Sequence, residues 1–325
     1  MRAVYCTAYG PPDVLEMRQV PVPQPGAGEV LVRVRATTVT AGDVRMRTFT
    51  VPRLFWLPGR LALGLRRPKL PVLGMEFAGE VTAVGENVRC FQPGDEVYGA
   101  SGHAFGAYAD YKVAPAQGGQ IALGRIAYKP AGLSFEQAAA VPVGAITANG
   151  FLRAADVRPG MDVLIYGASG SVGSYAVQIA RQMGATVTAV CSGGNAELVR
   201  GLGAERVIDY TREDFRTGDA RYDVIFDAVG KIDVGSCRAA LRPDGTFVAA
   251  AMTPLQGRWL NRTSGRRVLY DHPHVGDDDL AALGEMLDAG QITPVIDRCY
   301  PLEEIRAAHA YVETGRKRGN VVITL

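Results

Sequence analysis

The sequence predicts an α/β protein in which a β-rich first third leads into a doubly wound parallel sheet. Two observations carry this. Residues 29–36, Glu-Val-Leu-Val-Arg-Val-Arg-Ala, alternate apolar and polar side chains as a half-buried strand does. From about residue 124 onward, strand-like and helix-like runs alternate, the pattern of parallel strands joined by crossover helices.

In the first third, Pro25-Gly26, Pro58-Gly59 and Pro93-Gly94-Asp95 punctuate short apolar runs such as 79–84 and 95–98. Short strands between such turns suggest a barrel or a sandwich. Leu133-Ser134-Phe135-Glu136-Gln137-Ala138 then reads as a serine N-cap before an Ala-rich helix, with Gln137 completing a capping box. The alternating part follows. Strands are expected at Val163–Tyr166, Thr186–Val190, Val207–Ile208, Val224–Phe226 and Thr246–Ala249, and helices at Gly173–Met183 and Asn195–Leu202. The last residues, 320–325, form an apolar strand with no helix after them, which suits pairing back onto the first domain.

The 325 residues are comfortable for two domains, and 47% hydrophobic with 21% charged argues against global disorder. Thirty-five basic against 33 acidic residues leave no charge footprint for nucleic acid. No apolar run approaches the ~18 residues of a spanning helix. The N-terminus has no apolar core of a signal peptide. Five cysteines (6, 90, 191, 237 and 299) are scattered and odd in number, which fits reduced thiols and a cytoplasmic location. Arg53 to Lys69 is both basic and apolar. It reads as a substrate-side loop or interface segment, with a membrane surface as the alternative.

Gly167-Ala168-Ser169-Gly170-Ser171-Val172-Gly173 follows the strand 163–166 and opens a helix. In that context glycines let the backbone approach a pyrophosphate, and the helix start offers free N–H groups to its charge. Binders of NAD place a carboxylate at the end of the second strand, for the ribose 2′-hydroxyl. Here that strand runs into Cys191-Ser192-Gly193-Gly194-Asn195, and the first acid, Glu197, lies within the helix. A small polar pocket of this kind favours NADP(H) over NAD(H). Arg200 and Tyr210 are near in sequence, and each reads equally as a surface side chain.

Residues 167–178, Gly-Ala-Ser-Gly-Ser-Val-Gly-Ser-Tyr-Ala-Val-Gln, resemble the cofactor loop of the medium-chain dehydrogenase/reductases, in their zinc-free quinone-oxidoreductase branch. So do Leu73-Gly-Met-Glu-Phe-Ala-Gly79, Gly94-Asp-Glu-Val97, 133–142, Leu202-Gly-Ala204 with Asp209-Tyr210, and 319–323, in order along nearly the whole chain. The resemblance implies a GroES-like catalytic domain, 1–124 and 292–325, a Rossmann domain, 125–291, and a homodimer. It implies that Thr147, Ser169, Gly170, Ser171, Val172, Gly173, Ser192, Asn195, Tyr210, Ala228, Val229, Gly230 and Asn320 line the cofactor. One departure is that relatives binding NADP(H) tightly often carry Arg or Lys in the turn that here is Gly193-Gly194.

Zinc-dependent members of that family hold the metal at positions that here are Thr40, Met75 and roughly Val143, none a usable zinc ligand. Ser101 to Tyr111 lacks the cysteines of their structural lobe. His272 and His274 are the one close histidine pair, a weak metal candidate. Without a Lewis acid, reducing an activated quinone or enone is easier than oxidising an alcohol. Thr40 and Asp43 are the catalytic candidates. Asp43 either orients substrate near the nicotinamide or caps the following helix. Glu76 reads as a buried carboxylate or a bend acceptor, and Tyr98 and Tyr108 as core. Tyr108 and Lys112 match the Tyr-x-x-x-Lys pair of short-chain dehydrogenases, but a strand would put them ~13 Å apart. The expected function is NADP(H)-dependent reduction of a small quinone or carbonyl. A zinc-free alcohol or aldehyde oxidoreductase, or an NADPH-binding sensor with little activity, are the alternatives.

Overall fold

The computed structural model describes residues 1–50, 56–117, 125–251, 254–270 and 279–325. The expected boundary at 124, Arg53 and the pair His272 and His274 lie outside the described residues. Contacts divide the chain into two units. One is Met1–Val143, Gly276–Asp288 and Pro294–Leu325, and the other Gly144–Val275 and Ala289–Thr293.

The first unit begins with an antiparallel ribbon, β1 (Arg2–Cys6) on β2 (Leu15–Gln19). In β3 (Glu29–Thr38), Val30, Val32, Val34 and Ala36 are buried while Arg33 is exposed, so the period-two pattern does place one face in the core. After it come α1 (Ala41–Thr48), α2 (Trp56–Leu63), β4 (Glu76–Val84), β5 (Glu96–Ala100), β6 (Tyr111–Pro115), β7 (Arg125–Tyr128) and α3 (Phe135–Ala139). The capping box of α3 is present: Ser134 Oγ accepts from Gln137 N, and Gln137 Oε1 from Ser134 N. Lys112 lies on β6, and Tyr108 precedes that strand, so the two share no helical turn.

α4 (Pro142–Ala154) leads into the second unit, with β8 (Asp162–Tyr166), α5 (Ser171–Gln182), β9 (Thr186–Cys191), α6 (Ala196–Gly201), β10 (Arg206–Asp209), β11 (Tyr222–Asp227), β12 (Leu241–Ala249), α7 (Pro254–Thr263) and β13 (Arg267–Leu269). All six strands are parallel, in the order β10-β9-β8-β11-β12-β13. Strand order therefore reverses between β8 and β11, the place where a doubly wound sheet opens a crevice at its carboxyl ends. Leu164, Ile165 and Val163 are fully buried, as expected for a strand covered on both faces. On α5, Tyr175, Ala176, Val177, Ile179 and Ala180 are buried. Gln178 is buried with them, its amide donating to Thr293 O (3.0 Å) and accepting from Thr293 N (2.8 Å). That pair of bonds ties the segment Ala289–Thr293 to this unit.

The chain then returns to the first unit through α8 (Asp279–Asp288), β14 (Ile296–Pro301), α9 (Ile305–Glu313) and β15 (Asn320–Thr324). β15 pairs antiparallel with β3, as expected of the apolar C-terminal strand. The sheet order is β14-β15-β3-β4-β5-β7, with β6 also on β3. The architecture is α/β, a Rossmann sheet plus a GroES-like β-rich unit. Two helices within the expected range 125–291, α3 and α8, pack with the first unit. α3 rests on β3, β4, β5 and β15, and α8 rests on β7, with Tyr98 Oη donating to Leu280 O (2.6 Å). Among the described residues, no helix is long and apolar enough to cross a membrane.

Candidate functional site

In the second unit, the turn 167–173 is shaped by its glycines. Gly167 has φ +79°, a left-handed conformation that L side chains rarely adopt. Its N–H and that of Ala168 donate to Val190 O, fastening the turn to β9 (3.0 and 3.2 Å). A Cβ on Gly173 would come within 2.8 Å of Ala168 Cα and nearer still to Gly167 O, so the helix starts flush against the loop. The N-cap of α5 is Gly170, which brings no side chain to the orphan N–H groups of the first turn. Ser169 to Val172 are half-buried, leaving one side of the turn open. A bare helix start with glycine-cleared backbone fits a nucleotide diphosphate.

Three predicted cofactor residues meet beside this turn. Asn195 Nδ2 donates to Ser169 Oγ (3.0 Å) and Ser192 Oγ (3.2 Å). The turn Ala228-Val229-Gly230 meets it from β11. Ala228 N donates to Tyr166 O, and Asp227 gathers the N–H groups of Val229 (3.0 Å), Gly230 (2.8 Å) and Ile232 (3.1 Å). Asp227 is 1% exposed, so this carboxylate is a support of the turn and is closed to a ligand. Thr147 lies on α4 one turn beyond Gly144, whose Cα faces Ser171 and Tyr175 of α5 closely enough that a Cβ would stand 2.7 Å from Ser171 Oγ. Tyr210 is exposed, its ring 6.3 Å from that of Tyr166.

An open pocket of about 660 Å³ lies past β9, lined by residues including Ser192, Gly193, Gly194, Arg200, Asp209 and Arg212. Here the structure corrects the expectation of a pocket without a carboxylate. Asp209, at the end of β10, is carried there because β10 pairs with β9 and sets Asp209 opposite Cys191. The Thr211 hydroxyl (2.7 Å) and amide, then Gly193 N–H and Arg212, hold its carboxyl below the usual range. Two arginines, Arg200 and Arg212, and two carboxylates, Asp209 and Glu213, therefore share the pocket.

The first unit carries the other candidates. Thr40 caps α1, accepting from Asp43 N, while Asp43 Oδ2 accepts from Thr40 N (2.9 Å) and Thr40 Oγ1 (2.6 Å). Asp43 Oδ1 accepts from Gly74 N (2.9 Å). Asp43 is 0% exposed and serves as the N3 carboxylate of this capping box. Burial pushes its carboxyl up to about 6 against these hydrogen bonds. Thr40 stays half-buried, its Oγ1 3.5 Å from Met75 Sδ. Next to it Glu76, also 0% exposed, accepts from Thr38 Oγ1 and from Val143 N (2.7 Å), and burial pushes it up to about 7. The three positions expected to match the metal ligands, Thr40, Met75 and Val143, lie with Glu76 between them, as an alcohol, a thioether, a backbone amide and a carboxyl held by Thr38 Oγ1 and Val143 N. Zinc wants thiolate, imidazole or free carboxylate, so this donor set does not fit it.

Asn320 heads β15, buried, with its amide donating to Val295 O (3.1 Å), and belongs to this unit and not to that of the glycine loop. Tyr98 and Tyr108 are fully buried. Sequence reasoning missed the partners of Tyr108, which donates to Thr38 O (3.3 Å) and lies 3.2 Å from His309 Nε2. Burial drives His309 down to about 3, so the ring is neutral.

Comparison with known proteins agrees with both units. Residues 26–123 match the family described as alcohol dehydrogenase GroES-like domain, and residues 202–323 the family described as zinc-binding dehydrogenase. A 2-methylene-furan-3-one reductase of Solanum lycopersicum is 32% identical, over 99% of this chain and 79% of that protein. An NADPH-dependent alkenal/one oxidoreductase, chloroplastic, of Arabidopsis thaliana is 30% identical over the same shares. The structure of the quinone oxidoreductase from Coxiella burnetii superposes with a TM-score of 0.88 at 30% identity, covering 100% of this chain and 99% of that one. With the glycine loop, the strand order and these whole-length similarities together, the chain belongs to the medium-chain dehydrogenase/reductase family, in its quinone-oxidoreductase-like branch.

Proposed function

We propose that this oxidoreductase is an NADP(H)-dependent, zinc-independent reductase of quinones or α,β-unsaturated carbonyls. The observation that carries the reading is the cluster of Ser169, Ser192 and Asn195 beside a bare helix start at the switch point of a parallel sheet. The relatives' names, which speak of enones, alkenals and quinones, support the acceptor class.

NADPH, when bound, supplies the hydride. The chain's own work is binding and placement. The first N–H groups of α5 receive the diphosphate, with Ser169 to Gly173 as its floor. Ser192, Asn195 and Tyr210 hold the adenosine side, Arg200 and Arg212 the 2′-phosphate. Thr147, Ala228-Val229-Gly230 and Asn320 are assigned to the nicotinamide side. Thr40, half-buried, is assigned to the acceptor side, where its hydroxyl reaches a carbonyl oxygen by exchanging the hydrogen bond it donates to Asp43. Water supplies the proton that follows the hydride. The working form is proposed to be a cytoplasmic homodimer.

An acceptor screen that follows NADPH and NADH consumption in parallel, with and without a chelator, tests this. Quinones and enones should be reduced with NADPH preferred and with no loss on chelation. Faster turnover of primary alcohols would favour the alcohol-oxidoreductase alternative. Saturable NADPH binding with every acceptor inert would favour the sensor. Loss of activity on chelation would overturn the zinc-free assignment.

A further inference from the structure

Residues 44–75 contain no Asp or Glu, and among their basic residues Arg66, Arg67 and Lys69 are exposed. The same segment holds an unusual density of uncovered apolar side chains. Trp56 is 51% exposed, Leu57 58%, Leu61 59% and Leu65 63%. On an ordinary surface helix the charged residues face water and the leucines face the core.

In α2 this order is inverted. Arg60 turns inward, its guanidinium 4.2 Å from the Tyr9 ring centroid, 4.4 Å from Phe49 and 5.1 Å from Trp56. Gly59 packs against Phe49 so tightly that a Cβ would stand 3.0 Å from its ring. The helix is thereby pinned with its arginine down and Leu57 and Leu61, four residues apart, outward. The following turn is equally fixed. Arg60 donates to Leu65 O (2.7 Å), Lys69 N to Leu63 O (2.8 Å) and Lys69 Nζ to Leu61 O (3.1 Å). It sets Arg66, Arg67 and Lys69 beside the end of the apolar ridge.

We propose that this face, Trp56 to Leu70, docks on an anionic lipid bilayer. Trp56, Leu57 and Leu61 enter the interfacial layer, and Arg66, Arg67 and Lys69 meet the headgroups. Charge selects this occupant. A twofold contact between copies would set one all-basic patch against another, and like charges oppose that. A lipid surface offers the opposite sign together with a place for the leucines. The proposal concerns a surface, and it holds whichever acceptor the enzyme reduces.

The test is sedimentation of the full chain with vesicles of phosphatidylcholine alone and of phosphatidylcholine mixed with phosphatidylserine. The protein should sediment with the mixed vesicles at low salt, be released as salt rises, and ignore the neutral ones. Since each basic residue at an anionic surface is worth about fivefold, Arg66→Gln with Arg67→Gln should cut the partition roughly 30-fold. Leu57→Ser with Leu61→Ser should weaken it independently. Both double variants should keep the wild-type melting temperature and NADPH affinity. The proposal is overturned if no vesicle binds the protein, if neutral vesicles bind it equally well, or if the charge variant binds as wild type. It is also overturned if the leucine variant instead abolishes self-association in solution, which would make a second copy the occupant.

Discussion

Gly167 lies so close beneath Val229 that a Cβ on it would stand 2.7 Å from Val229 Cγ1. The contact joins the loop after β8 to the turn after β11, the two strands that flank the switch point. Replacing Gly167 with alanine therefore meets two penalties, the left-handed backbone and the clash, together about 2–4 kcal/mol. Gly167→Ala should lower the denaturation midpoint and cut NADPH affinity by at least about tenfold, measured by fluorescence titration. Wild-type affinity in a stable variant would refute the assignment of this loop.

Gly194 lines the pocket with Arg200, Arg212 and Asp209, and its backbone is not among the positive-φ positions. A side chain there therefore meets no left-handed backbone strain. A partly exposed arginine–phosphate pair is worth roughly 1.5 kcal/mol. Gly194→Arg should tighten NADPH about tenfold and leave NADH nearly unchanged. Asp209→Asn should move selectivity in the same direction, because it removes a carboxylate charge from the pocket. Equal shifts for both nucleotides would mean that the 2′-phosphate does not lie there.

The parts of this molecule that sequence reveals are those in which one residue type has one steric use. The glycines at 167 and 173 are of this kind, and so are the capping box at Ser134 and Gln137 and the alternation in β3. What sequence hides is pairing at long range. Asp209 enters the pocket of Gly193 because a strand neighbour brings it. Tyr108 meets His309 across 201 positions, and buried Arg47 meets Glu313 across 266 (2.8 Å). In sequence α3 reads as the first helix of the alternating part, whereas its contacts are with the strands of the first unit. Asp43 was equally ambiguous, since an aspartate at N3 and one facing substrate are the same letter. In the structure it completes the capping box of α1.

Asp227 carries the turn 228–230 through three backbone N–H groups, and alanine would leave all three without their acceptor. Hydrogen bonds to a buried charge make that loss about 3–5 kcal/mol. Asp227→Ala should both destabilise the protein and raise KM for NADPH. Asp227→Asn keeps one acceptor oxygen, and should recover part of the affinity. If the two variants lose stability without any change in KM, the turn does not touch the nucleotide.

Glu76 gives the pH dependence its sign. Its carboxyl is pushed by burial to about 7 from an ordinary 4.5, opposed by Thr38 and Val143 N–H and by the half-buried Lys317. Between those two values the folded chain holds a proton that the unfolded chain has released. Stability contributed by this group is thus greatest below about pH 4.5 and falls as pH rises through about 7, by on the order of 3 kcal/mol. Asp43, raised to about 6, slopes the same way. Lys317 acts at higher pH: lowered to about 8 by burial, it gives stability that rises from there toward 10.5. Glutamine at 76 can still accept from Val143 N and donate to Thr38, without the charge. Melting temperatures of wild type and Glu76→Gln, compared from pH 5 to pH 8, should converge at the acid end, with the variant holding the higher value at pH 8. Parallel curves would show that Glu76 does not titrate in that range.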